Sequence, residues 1–157
     1  MDLYGQPTGP AGYDVIDSPI FACWMPVLTV VGEEIGHPFE GGYKLHLSVD
    51  ADDAERVAQH VLPVLQGLRM DHKVVFPVTA YVAMNEGEQR GKFITVYPGP
   101  GFAGFASLVR AVDGRLIAIT ARPGPRPLRR LAGNAMPETA VGKSGLLYGI
   151  IVESYRD

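Results

Sequence analysis

Residues 43–50 read YKLHLSVD, an alternation of apolar and polar side chains, and the period changes immediately downstream, where Ala54, Val57, Val61, Leu65 and Leu68 recur three or four apart. In an extended strand successive side chains point to opposite faces, so Lys44, His46 and Ser48 share one face and Tyr43, Leu45, Leu47 and Val49 the other. The second spacing is that of an amphipathic helix with one apolar stripe. Asp50 stands at the helix N-cap position with Asp53 three residues on, and Pro63 predicts a kink rather than an end, because the spacing continues through it. A half-polar strand running straight into such a helix points to an α+β layer arrangement.

The remaining segments extend that pattern. HKVVFP (72–77) and KFITVYP (92–98) read as strands; the segment between them is ambiguous until NEGEQRG marks a loop. GFAGFASLVRAV (101–112) reads as a helix stopped by Asp113-Gly114, RLIAIT (115–120) as a strand, ARPGPRPLRR (121–130) as irregular, and GLLYGIIVE (145–153) as the last strand. The expected fold is a single α+β domain with a mixed, mainly antiparallel sheet and two main helices. Residues 1–18, rich in Gly and Pro, read as a loose arm. The expected division is an acidic, partly looped N-terminal extension over 1–41 and the domain proper over 42–157.

At 157 residues, 46% hydrophobic and 20% charged, the chain can bury one core of its own. The single cysteine, Cys23, allows no internal disulfide, and no Lys or Arg precedes Lys44, so no signal peptide is expected and the cytoplasm is the default location. The apolar run from Pro19 to Gly32 is interrupted by Pro26 and falls short of a membrane span of about 20 residues. Charge is unevenly placed: residues 1–43 hold six acids and no base, whereas residues 114–152 hold six bases and one acid, Glu138. The C-terminal third therefore suits an anion, or the protein's own acidic N-terminal part. With a net charge of −3, nucleic acid is not an expected partner.

Three features could carry chemistry. His46 shares its strand face with Lys44, and a nearby cation tunes a histidine toward neutrality, although position alone favours a structural or solvated role. Lys73 sits among apolar neighbours in HKVVF; lysines in such strands commonly block edge aggregation, but one that loses its proton is a general base. Arg122, Arg126, Arg129 and Arg130 crowd a proline-stiffened stretch without an acid, equally a solvated loop or a phosphate clamp, because the guanidinium fork matches phosphate oxygens. PGPGFAG has neither of the phosphate-loop spacings, and GKSG at 142–145 lacks the preceding glycine. His37, His46, His60 and His72 have no compact ligand spacing, so no metal is expected.

YKLHLSV, HKVV, GKFITVYP and a late GP-x-x-L-R-R followed by LLYG, in this order, resemble the phosphothreonine lyases injected by type III secretion and the lyase domain of class III and IV lanthipeptide synthetases. The resemblance covers roughly residues 42–152. It implies β-elimination of phosphate from phosphoserine or phosphothreonine in a peptide, without metal or cofactor. By that resemblance Lys73 is the general base, His46 the general acid, Lys44 a stabiliser of the enolate or phosphate, and Tyr97 a residue lining the site. Arg129 and Arg130 match the paired arginines of the phosphate clamp, with Arg126 as a local extra, Arg90 as a second candidate, and Lys143 standing where synthetase domains tend to have another arginine. Lys92 joins the substrate-binding candidates, although alternation sets it with Ile94 and Val96, on the face away from Tyr97. The implied substrate is a phosphorylated precursor peptide, with a separate kinase and cyclase acting in trans. The rival readings are a phosphopeptide- or leader-binding module without chemistry, and an effector lyase acting on host kinases.

Overall fold

Strand β3 (Gly42–Leu47) keeps the alternation of YKLHLSVD: Leu45 and Leu47 are fully buried against the helices, and Lys44 and His46 turn to the other face. The computed structural model describes residues 3–8, 13–15, 21–24, 39–131 and 134–155, and within these the side chains at 14–15, 21–24, 130–131 and 134–136 lie outside the description. A short 3-10 turn over 51–53 is capped by Asp50, whose Oδ1 accepts from the Asp52 amide at 2.9 Å, and leads into α1 (Ala54–Gly67). Pro63 lies inside α1, and the apolar stripe of Val57, Val61 and Leu65 runs past it into the core.

The chain continues through β4 (Asp71–Val75), α2 (Val78–Met84), β5 (Ile94–Gly99) and α3 (Phe102–Ala118). A hairpin of β6 (Leu128–Leu131) and β7 (Asn134–Pro137) follows, then β8 (Thr139–Val141) and β9 (Leu147–Val152). With β1 (Tyr13–Val15) and β2 (Phe21–Trp24), seven strands form one sheet in the order β1-β2-β4-β5-β3-β9-β8, every neighbour antiparallel. Helices α1 and α3 pack together, and Phe105, Leu108, Val112 and Leu116 of α3 join Leu45, Leu47, Ile94, Val96 and Leu147 of the sheet in one core. The α+β expectation holds. No helix among the described residues is long and apolar enough to cross a membrane.

Four local readings change. Asp113-Gly114 does not stop α3, so RLIAIT is the helix end rather than a strand: Leu116 continues the stripe of Leu108 and Val112. The Asp113 carboxylate accepts from the Lys143 and Ser144 amides at 2.8 and 2.9 Å, caps the β8–β9 turn, and sits below its ordinary pKa, those hydrogen bonds prevailing over burial. The basic stretch is regular from Leu128 onward, directly after its last proline, because from there the backbone amides can pair with β7. The ambiguous segment before NEGEQRG holds a third helix, α2, whose buried Tyr81 hydroxyl donates to the Val49 carbonyl at 2.6 Å and accepts the Val49 amide at 3.1 Å. Residues 3–8 and 13 are not a loose arm: Leu3, Tyr4 and Tyr13 are buried, Tyr4 donates to the Val75 carbonyl at 2.7 Å, and β1 and β2 extend the sheet beyond β4.

Tyr81→Phe strips the hydroxyl that satisfies both polar groups of Val49 just past the end of β3. A loss of about 1–3 kcal/mol is expected, read as a lower urea midpoint. Acid stability has a second source. His72 is buried, its Nδ1–H donates to the Met70 carbonyl at 2.7 Å, its Nε2 lies 2.6 Å from the Tyr13 hydroxyl, and burial depresses its pKa from 6.5 to about 4. The unfolded chain binds that proton first as pH falls, so the contribution is complete above pH 6.5 and is lost on the way down to about pH 4. Urea midpoints measured across this window should fall by an amount equivalent to roughly 3 kcal/mol, and His72→Gln should flatten the dependence.

Candidate active site

The register of three strands sets the first element of the site. His46 on β3 is directly opposite Thr95 on β5, and Thr95 is directly opposite Lys73 on β4, so the three side chains form one row across the polar face. Each strand step is about 4.8 Å, which puts the His46 and Lys73 backbones about 10 Å apart with room between the two side chains. A cavity of about 760 Å³ opens over this row. Lys44, His46, Lys73, Lys92, Tyr97 and Arg129 all line it, with Glu138 and Glu153. Lys44 Nζ lies 5.6 Å from the centre of the Tyr97 ring.

His46 is almost completely buried, and its Nδ1 lies 2.6 Å from Glu138 Oε1. With Glu138 a carboxylate, Nδ1 carries the proton and Nε2 is the nitrogen left for the cavity. Burial lowers the His46 pKa most; Glu138 opposes it, and Lys92 and Lys44 push in the same direction as burial. Without an anion in the cavity the imidazole is therefore held toward neutrality, and a phosphate dianion is the kind of group that would reverse this.

The basic stretch divides by position. Arg129, half-buried, reaches the cavity from β6, and its Nη2 donates to the Ile151 carbonyl at 3.3 Å. Arg126 does not line the cavity: Nε and Nη2 donate to the Glu138 carbonyl at 2.9 and 2.7 Å, and its guanidinium lies over the Tyr148 ring. Arg122 is bound to the carboxylate of Asp53 at the start of α1, which holds that carboxyl at about 2. The side chain of Arg130 lies outside the described residues. Ser48, directly after β3, donates to the Pro125 carbonyl at 2.5 Å and ties the proline stretch to the sheet.

Two candidates are elsewhere. Lys143 lines a separate groove along α3, because Asp113 holds its turn there. Arg90 is exposed on the loop before β5 and does not line the cavity, unlike its neighbours Gln89 and Lys92. Lys92 and Tyr97 line the same cavity despite their parity, because Lys92 precedes the first residue of β5, where strand alternation begins. Glu138 is the residue that sequence reasoning passed over. Its one signal is that it is the lone acid between residues 114 and 152. Among the described residues, no group of three or more His, Cys, Asp or Glu could hold a metal ion.

The segment that carries these groups also decides the kinship. A family model described as the N-terminal domain of RamC matches residues 23–128, a span holding Lys44, His46, Lys73, Lys92 and Tyr97. The chain belongs to this family. Arg129 and Glu138 lie just beyond the matched span of the RamC N-terminal domain. No curated protein matches the sequence. Among solved structures, the fold is similar to the phosphothreonine lyase effector VirA (SpvC) of Chromobacterium violaceum, with TM-score 0.60 and 13% identity over 90% of this chain and 66% of that one. It is also similar to the type III effector and phosphothreonine lyase OspF of Shigella flexneri, with TM-score 0.55 and 13% identity over 90% and 71%. A further phosphothreonine lyase, solved for its catalytic mechanism, gives TM-score 0.55 and 14% identity over 91% and 69%. The chain spans about two thirds of the length of these lyases.

The placement of cations predicts where an anion binds. In the full chain titrated with inorganic phosphate, Arg129→Ala should weaken binding by about tenfold or more, whereas Arg90→Ala and Lys143→Ala should leave it within about twofold. Calorimetry or amide chemical shifts at low ionic strength would check this.

Proposed function

We propose that this member of the RamC N-terminal-domain family is a carbon–oxygen lyase that removes phosphate from phosphoserine or phosphothreonine in a peptide. The observation that carries the proposal is the row His46–Thr95–Lys73 under one cavity lined with cations. β-Elimination needs a base at the Cα hydrogen and an acid at the leaving oxygen, on either side of one residue. A lysine and a histidine two strands apart can flank a phosphorylated side chain lying over Thr95.

In the reaction, the neutral Lys73 amine takes the Cα proton and the C–H electron pair becomes the Cα–Cβ double bond. The Cβ–O bond breaks with its electrons going to the phosphate oxygen, which His46 protonates from Nε2. The products are a dehydroamino acid and hydrogen phosphate; solvent then resets the two protons. Lys44, against Tyr97, faces the negative charge that develops on the substrate carbonyl, and Arg129 with Lys92 holds the phosphate. Because a dianion favours imidazolium, substrate binding itself would charge the acid that burial keeps neutral.

The peptide context we favour is biosynthesis of a ribosomally made, lanthipeptide-type product, with a phosphorylated precursor peptide as substrate and kinase and cyclase activities acting before and after the elimination. Support comes from the match to the RamC N-terminal domain over the segment that holds GKFITVYP. The effector reading is favoured by a different observation, the similarity in fold to two effector lyases. The chemistry is the same in both, and the identity of the peptide separates them.

The deciding experiment follows the mass of phosphoserine and phosphothreonine peptides, including a precursor with its leader. Loss of the elements of phosphoric acid, with subsequent thiol addition, supports the lyase; recovery of intact phosphopeptide throughout leaves only a binding module. Lys73→Ala and His46→Ala should each lower the rate by about a hundredfold or more.

A further inference from the structure

Glu138 is buried at 1% exposure, inside a polar layer that has one histidine to meet it. One carboxylate oxygen, Oε1, lies 2.6 Å from His46 Nδ1. Among the described residues, no donor reaches the buried Oε2. A buried carboxylate is costly unless it is paired, and among the described residues the imidazole is the group its side chain pairs with. Its position is also built. The Glu138 carbonyl accepts two hydrogen bonds from Arg126, whose guanidinium lies on Tyr148, and Tyr148 is the β9 residue directly opposite His46. The Glu138 amide donates to the Pro127 carbonyl at 3.0 Å, so the proline stretch and the β8 entry hold the residue from both sides.

We propose that Glu138 is the positioning residue of His46: it fixes the proton on Nδ1, presents Nε2 to the cavity, and lets the ring take a second proton when an anion enters. Arg126 serves the site by bracing Glu138 rather than by holding phosphate.

The electrostatic surroundings give this arrangement a purpose. The groups around the ring are Lys44 on its own strand, Lys92 ahead of β5, Lys73 beyond Thr95 on β4, Arg129 on β6, Arg126 over Tyr148 of β9, Tyr97 on β5 and Glu153 just past β9. Apart from Glu153 and the two tyrosines these are cationic or can become so, and burial acts with Lys92 and Lys44 against imidazolium. Glu138 is the only carboxylate hydrogen-bonded to the ring among the described residues. Lacking it, the cations that suit a phosphate would keep the acid discharged. The role of His46 as acid rests on the lyase reading; the proton on Nδ1 and its coupling to an anion do not, and can be measured without turnover.

The test uses the full chain labelled with nitrogen-15, with inorganic phosphate as probe. In the wild type, imidazole nitrogen shifts should show His46 protonated at Nδ1 and titrating at Nε2, with a midpoint that rises when phosphate is added. In Glu138→Gln that midpoint should fall by about one pH unit or more and its response to phosphate should shrink, while Glu138→Asp should restore part of both. If the phosphopeptide is eliminated, Glu138→Gln should lower kcat by about tenfold or more, leave KM within about threefold, and move the alkaline limb of the profile to lower pH. A wild-type ring protonated at Nε2 instead of Nδ1, or a midpoint unmoved by Glu138→Gln, would overturn the proposal; the first of these needs no variant to fold. Absence of elimination in the wild type would remove the lyase reading while the shifts still decide the role of Glu138.

Discussion

The register of β4, β5 and β3 is the constraint on which the cavity depends. Leu45 and Leu47 on β3, Val96 and Ile94 on β5, and His72 and Val74 on β4 lie opposite one another on the helix face. Most of these side chains are fully buried there. A slip of one residue in any of these strands would turn an apolar row toward the cavity and a lysine or histidine into the core, an error with a large free-energy cost. The apolar face therefore holds the polar face in place: Lys73, Thr95 and His46 are aligned because Val74, Ile94 and Leu47 are packed. The helices α1 and α3 supply the other half of that packing, and α2 secures the chain just past β3 by occupying both polar groups of Val49.

On the polar face the physics is of the opposite kind. Several cations line one depression, and like charges are tolerated because they are spread over three strands and a loop, with Glu138 and Glu153 among them. Such a surface is favourable for an anion and unfavourable for a charged histidine. In the proposed role the buried Glu138 reconciles the two through its contact with Nδ1 of the ring. Arg126 and Arg122, which look from the chain like further phosphate ligands, are committed to internal acceptors, the Glu138 carbonyl and the Asp53 carboxylate. The proline-rich stretch is thus largely a brace. Its cavity-lining member among the described residues is Arg129, which starts from the strand that follows the last proline.

Several readings drawn from local chemistry failed for identifiable reasons. Asp113-Gly114 has the composition of a helix stop, yet the Asp113 side chain serves a turn 30 residues away, so the helix has no cause to end there. Tyr4 and Tyr13 belong to a Gly- and Pro-rich stretch that looks loose, but each finds a buried partner on or near β4. In both cases the deciding partner is remote in sequence. The family kinship and the similarity of fold to phosphothreonine lyases agree with the layered α+β reading, and the proposed activity is argued from the site itself.

What the chain determines by itself is periodic. The alternation of YKLHLSVD, the helical spacing after it and the strand KFITVYP specify which face each side chain takes, because those faces follow from backbone geometry within a few residues. His46 beside Lys44 on one strand face was legible on that basis, whereas Tyr97 as a residue lining the site came from the family resemblance. Only the tertiary structure decided which strands are neighbours, that Thr95 separates Lys73 from His46, that Lys143 and Arg90 lie outside the cavity, and that a glutamate 92 residues along the chain meets the histidine. These depend on strand order and loop closure, where the energy comes from burial shared among distant segments and leaves no mark on any one of them.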